Sequence, residues 1–412
     1  VFVHERLDPN QEFRERRERD RRRRRRQRTA LLAVLLLAGA AAPIGVFVLG
    51  GDGSQAASTA PGAGTAAPVT AGGTTTAAAT TAAATTAPAP PPLAPLPKEI
   101  RGVHVTMALA SVPGRLGTYF AMREHGLNTL QLDVKDESGE VGFSSPYAPA
   151  AQEIGAVRPY YDPEEVARTA EGLGIYLIGR VVVFEDPVLS AARPEHALRT
   201  PDGRQWKTSG GQGWVSQYDP KVWDYAVDVA ESAARAGFDE IQFDYVRFPS
   251  DGDLASIVYP GKRAEAKAVT IRRFLEYAIK RLRPLGVRVS ADLFGLAATH
   301  ELHIGQSPRA IGRIVDAIYP MVYPSHYNPG EFNLADPESS PGETVGLSLA
   351  DFRRAVGRGR ARIVPWIQDF SLGRTYTLFE VRQQIDAARA AGAAGFLLWN
   401  PRGVYTTEAL RP

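Results

Sequence analysis

Eight short apolar runs, several of them entered through a glycine, constrain the fold of this chain more than any other feature. They occupy residues 100–106, 129–135, 175–184, 240–247, 287–293, 317–323, 363–368 and 395–399. Each is rich in β-branched or aromatic side chains, as buried parallel strands require. Helical patterns lie between them. Residues 163–172 follow Asp162, with Pro163 at the first helical position, and 221–236 follow Asp219-Pro220 in the same way. Residues 262–282 are amphipathic, with Ile271, Leu275, Ala278, Ile279 and Leu282 on one face. A further helix, 378–391, stops at Gly392. The order helix, glycine, strand recurs at Gly126, Gly174, Gly237, Gly286 and Gly392. Eight such units over the 315 residues 98–412 predict a (β/α)8 TIM barrel in the α/β class. A doubly wound open sheet is the competitor, but no G-x-G-x-x-G follows the first strand.

The residues before the barrel read differently. Residues 1–29 form a basic arm, and its first 28 residues hold twelve arginines against six acids. The remainder carries 36 basic and 39 acidic residues, so the overall net charge of +3 comes from the arm. A nucleic-acid-binding fold concentrates basic charge on the folded domain, so no nucleic-acid partner is expected. Residues 30–50, ALLAVLLLAGAAAPIGVFVLG, contain no charge and match the length of a transmembrane helix. The flanking arginines place the N-terminus in the cytoplasm and the barrel outside it, on the cell membrane. The alternatives are a signal peptide cleaved near the small residues 40–42, which would release a secreted domain, and a core helix. Residues 51–97 are Ala/Thr/Pro/Gly-rich with a single charge, Asp52, and read as a disordered linker. With no cysteine in the chain, disulfides, thiolate-bound metals and a thiol nucleophile are all excluded.

In a barrel the chemistry gathers at the C-terminal ends of the strands. Here those ends carry His104, then Asp133 and Lys135, then Asp244 and Arg247, then Asp292, then Tyr323, then Asp369, then Trp399. A carboxylate costs several kcal/mol to desolvate unless it is paired. Acids sharing one cleft raise one another's pKa, which general acid catalysis at neutral pH needs. Glycoside hydrolysis needs such a pair, one carboxyl to protonate the leaving oxygen and one to attack or to activate water. Trp206 and Trp214, in a Gly-rich loop after the third strand, and Trp399 offer faces on which sugars stack. No cofactor is called for. His300-Glu301-Leu302-His303 lacks the histidine spacing of the H-E-x-x-H zinc motif, and neither G-x-S-x-G nor a P-loop is present.

The stretch FDEIQFDYVRFPSDG, 238–252, resembles the signature of a bacterial family of glycoside-hydrolase barrels distantly related to the α-amylase-like barrels. RGVHVT (101–106), QLDVKDESGEVGF (131–143), ADLFG (291–295), YPMVYPSHY (319–327) and GFLLWNP (395–401) support it. The resemblance implies glycosidase chemistry, with a fourth-strand Asp as nucleophile and a fifth-strand acid as proton donor. The matching positions are Asp244 and Asp292, the latter departing from the Glu of the larger group. Asp369 is the alternative acid or a stabiliser.

The resulting expectation is a membrane-tethered glycoside hydrolase acting on a cell-envelope or extracellular polysaccharide. Asp244, Asp292 and Asp369 form the catalytic set. His104, Asp133, Lys135, Arg247, Trp206, Trp214, Tyr323 and Trp399 bind substrate. The rivals are a non-catalytic polysaccharide-binding barrel, since a fold does not certify activity, and a metal-dependent hydrolase using His104, Asp133 and Asp244. Sugar identity, linkage and oligomeric state are not encoded in these patterns.

Overall fold

The structure, a computed structural model, describes residues 91–412. The expected arm, the span at 30–50 and most of the linker lie outside the described residues. Among the described residues no helix is long and apolar enough to cross a membrane.

Nine parallel strands form one closed sheet: β1 Ile100–Val105, β2 Thr129–Lys135, β3 Tyr176–Val182, β4 Glu240–Asp244, β5 Arg288–Phe294, β6 Ala317–Met321, β7 Arg362–Ile363, β8 Trp366–Gln368 and β9 Gly395–Trp399. Neighbours pair in chain order from β1 to β6, β6 pairs with both β7 and β8, and β8 pairs with β9. The β1–β9 ladder closes the barrel. The seventh barrel strand is thus split in two. Pro365 lies at the break, where it removes a ladder donor. The eight expected strand positions therefore coincide with an eight-stranded barrel.

Helices Pro163–Gly172, Pro220–Ala236, Lys267–Leu282, Pro341–Val356 and Leu378–Ala390 cover the outside. Asp162 and Asp219 cap the first two, each accepting a backbone N–H through its side chain. The third helix begins five residues later than its pattern suggests. Glu265 instead turns back onto Thr270 Oγ1 and Arg273. Residues 91–97, assigned by composition to the linker, pack with the barrel. Ala94 and Leu96 pack against the interior apolar cluster, while the Ala94 and Pro97 carbonyls accept from Arg288 and Arg362.

The strands alternate in character rather than being uniformly apolar. On β4, Ile241 and Phe243 face outward, and Phe243 meets the Phe274 ring edge-on at 5.3 Å. Glu240, Gln242 and Asp244 face inward. Many barrel interiors are filled by branched aliphatics, but this one carries polar side chains in layers. At the bottom, Glu240 accepts from Tyr176 and Tyr319, each at 2.9 Å, and from Ser290. Three hydroxyl donors offset the cost of enclosing that carboxyl, whose pKa burial raises.

Closure leaves no room at Gly395. Its φ is +128°, and a Cβ there would collide with the Ile100 backbone. Gly395→Ala should therefore cost about 2 kcal/mol or more. A urea midpoint equal to that of the parent would contradict this.

Candidate active site

The polar interior culminates at the C-terminal ends of β2 to β5. Arg180, on β3, lies between two acids. Its Nε and Nη2 donate to Asp244 Oδ2 at 3.0 and 2.7 Å, and its Nη1 donates to Asp133 Oδ1 at 2.8 Å. Glu137, in the loop after β2, approaches Nη2 at 3.6 Å. Asp244 Oδ1 accepts from the backbone N–H of Tyr245 at 2.6 Å. Tyr245 has φ +50°, so the chain turns through the left-handed region directly after the acid. Non-glycine residues held there carry strain, which concentrates at functional sites.

Asp292, one strand along, is 1 % exposed. Its Oδ1 accepts from Gln242 Nε2 at 2.8 Å and from Trp366 Nε1 at 2.6 Å. Its Oδ2 is enclosed and meets no hydrogen-bonding partner. Burial, and then the negative charge of Asp244, push the Asp292 carboxyl well above the usual range. Asp133 is pushed up to about 7, chiefly by burial and against the pull of Arg180. Asp136, beside it, is pushed to about 7 by burial and by Glu137. His104 extends the network from β1. Its Nδ1 pairs with Gln131 Oε1, its Nε2 lies 3.6 Å from Asp133 Oδ2, and its ring meets Trp366 edge-on at 6.0 Å. On the far side, Tyr323 stacks on Trp399 at 5.2 Å and 29°. Phe370 meets both rings edge-on.

The structure thus brings together His104, Asp133, Asp244 and Asp292, with Tyr323 and Trp399 forming an aromatic wall. Electrostatic coupling links Tyr323 to Asp292 and Asp244. Other expected positions are engaged elsewhere. Asp369 gives both oxygens to Thr406, to its N–H and its Oγ1, each at 2.7 Å, tying the end of β8 to the C-terminal loop. Arg247 is buried among aromatic rings. It is 1 % exposed, lies over the Trp214, Tyr245 and Phe294 rings at 4.6–5.0 Å, and donates to the Phe248 carbonyl. Trp206 and Trp214 present no face to a ligand, being 2 % and 0 % exposed. Their loop pairs with itself through Ala197–Val215 and Lys207–Gly213 bridges, which folds both indoles into the core.

Contributors outside the expected site residues include Arg180, Gln131, Gln242, Trp366 and Glu137. For the strand glutamines the signal was the alternation of polar residues at every second position, as in Gln131 and Asp133, and in Glu240, Gln242 and Asp244. Arg180 also bears on a metal reading of His104, Asp133 and Asp244, because a guanidinium already lies between the two carboxylates. Among the described residues no group of three or more His, Asp or Glu is arranged to hold a metal ion.

Lys135 is likewise internal. With no exposed side-chain surface, it pairs with Asp186 at 3.0 Å and donates to the Val182 carbonyl at 2.8 Å. Removing one partner of a buried pair strands the other charge. Lys135→Met should thus cost about 3–5 kcal/mol in denaturant unfolding. An unchanged midpoint would show that the pair carries no such load.

Comparison with known proteins agrees with this architecture. No curated protein matches the chain. A hypothetical protein from Ruminiclostridium thermocellum is 36 % identical, with 46 % of this chain and 96 % of that one covered and a TM-score of 0.42. The PgaB (BpsB) glycoside hydrolase domain from Bordetella bronchiseptica shares the fold at 14 % identity, with a TM-score of 0.54 and 76 % and 99 % of the two chains covered. The family described as "Putative glycosyl hydrolase domain" matches residues 102–405. The chain therefore belongs to that glycosyl hydrolase family.

Proposed function

We propose that this protein hydrolyses O-glycosidic bonds in a cell-envelope or extracellular polysaccharide, with Asp292 as general acid and Asp244 as nucleophile or general base. The observation that carries this reading is the asymmetry between the two acids. Asp244 has a permanent counter-charge in Arg180. Asp292 has none as a direct partner, is fully enclosed, and keeps one oxygen unpartnered. Environments that separate two neighbouring carboxyls in this way are what assign acid and base roles. The neutral carboxyl delivers its proton to the leaving oxygen while the charged one acts at, or beside, the anomeric carbon.

The remaining groups fit sugar binding. Asp133, pushed up to about 7 by burial, is able both to donate to and to accept from a sugar hydroxyl. The stacked Tyr323–Trp399 pair supplies an apolar platform, with Trp399 partly exposed. Membership of the family implies a carbohydrate substrate. The basic arm and the uncharged run at 30–50 support attachment to the cell membrane with the barrel on the outer side.

Release of reducing ends from a glycan panel by the full chain tests the reading. Asp244→Asn should abolish turnover. Asp292→Asn should lower kcat by about 10²–10⁴ on natural linkages. With an aryl glycoside whose leaving group needs no proton, activity should return in Asp292→Asn but not in Asp244→Asn. Glycan binding with no reducing-end release, unchanged by Asp244→Asn, would instead identify a binding barrel.

The pH dependence has a defined sign. A general acid works only while protonated, so activity persists below the Asp292 pKa and falls as pH rises through it. Because burial and Asp244 raise that pKa, the alkaline limb of kcat/KM should lie well above the ordinary carboxylate range. A limb near pH 4 (about the ordinary carboxylate value) would contradict the assignment.

A further inference from the structure

We propose that Gln242 and Trp366 are positioning residues that fix the transferable proton of Asp292 on Oδ2, and that His104 and Gln131 set the direction of this control. The inference rests on the reading of Asp292 as the general acid.

Oδ1 of Asp292 accepts two N–H groups, from Gln242 Nε2 and from Trp366 Nε1. An indole N–H only donates, so the Trp366 contact has one possible direction. The Gln242 amide has two faces, and the rest of the chain selects one. Gln131 Nε2 donates to Gln242 Oε1 at 2.6 Å, which leaves the NH2 of Gln242 facing Asp292. Gln131 is oriented in turn by His104, whose Nδ1 meets Gln131 Oε1. With Oε1 turned to His104 and able only to accept, this arrangement requires the hydrogen of the contact to come from His104 Nδ1. The chain therefore runs in one direction, from His104 through Gln131 and Gln242 to Asp292. It ends on the oxygen that also receives Trp366.

A protonated carboxyl has one carbonyl oxygen and one hydroxyl oxygen. The carbonyl oxygen is the better acceptor, so two converging donors fix Oδ1 as the carbonyl and Oδ2 as the hydroxyl. Reversing the Gln242 amide would turn its oxygen toward Oδ1 and draw the proton there, away from Oδ2. Since Oδ2 has no partner of its own in the barrel, its hydrogen is not diverted to a protein acceptor. The ordering is distributed over β1, β2, β4, β5 and β8, so it is a property of the closed barrel rather than of one loop.

Other charged and titratable groups act on Asp292 without bonding to it. Asp244 and Glu240, on β4, and Arg180, on β3, act on its charge. Tyr319 on β6 and Tyr323 just beyond it are also coupled to it. His104 faces the site from β1 through Trp366. Apart from His104, which acts through Gln131, none of these selects between the two oxygens: Oδ1 accepts from Gln242 and Trp366, and Oδ2 has no partner.

Infrared difference spectroscopy on the full chain at neutral pH tests the proposal without a known substrate. The carbonyl stretch of protonated Asp292 is identified as the band lost in Asp292→Asn, with folding verified by circular dichroism. Trp366→Phe and Gln242→Met each remove one donor to the carbonyl oxygen, so the band should move to higher frequency in both. A purely structural role would broaden the band without a directed shift. If the proton were on Oδ1, the carbonyl would be Oδ2, which accepts nothing, and the band would stay in place. An unshifted band in either folded variant overturns the proposal. A spectrum that loses no such band in Asp292→Asn overturns instead the reading of Asp292 as the acid.

Discussion

Three acids approach one guanidinium at the mouth of this barrel, and the division of charge among them governs the rest of the site. Arg180 bonds to Asp133 and Asp244 and has Glu137 within 3.6 Å. A buried cation is tolerated only with such partners, and removing one of them would leave the others poorly compensated. A single positive charge does not neutralise this many carboxylates. Asp244 takes two of the guanidinium donors. Asp133 takes one and remains near neutrality in pKa. Asp292 has no direct bond to the cation, and burial and the charge of Asp244 raise its pKa well above the usual carboxylate range. The roles assigned to Asp244 and Asp292 follow from the placement of that one arginine.

The barrel makes this arrangement possible because its strands alternate. The outward residues of β4, Ile241 and Phe243, join the helical layer, while Glu240, Gln242 and Asp244 rise through the interior in register. Each level has its own solution for an enclosed polar group. Hydroxyls surround Glu240, amides link Gln131 to Gln242, and a guanidinium holds Asp244. A half-satisfied interior network would be worse than an apolar core. Among the interior groups of this network, the enclosed Oδ2 of Asp292 is left without a partner, where the proposed chemistry needs an unpartnered oxygen.

Much of the fold was legible in the sequence. Short β-branched runs separated by capped helices and terminal glycines specify a barrel through local physics alone, and the strand positions agree to within a few residues. The split of the seventh strand was not read, although Pro365 encodes it. The helix Pro341–Val356 was not recognised either. The site was less legible because strand-end position does not state direction. Asp244 and Arg247 are three residues apart, yet Asp244 pairs with Arg180, 64 positions away, while Arg247 lies among rings. Lys135 and Asp369 are at strand ends but serve as ties, and the tryptophans of the 197–215 loop are packing residues. Composition marks such residues as candidates. Only long-range contacts decide which of them reach the cleft.

Neutron diffraction from crystals at neutral pH would test the central claim most directly, by locating the hydrogens on the carboxyl pair. The account predicts deuterium on Oδ2 of Asp292, with Oδ1 accepting from Gln242 and Trp366, and a bare Asp244 bonded to Arg180. Deuterium on Asp244, or its absence from both oxygens of Asp292, would contradict it.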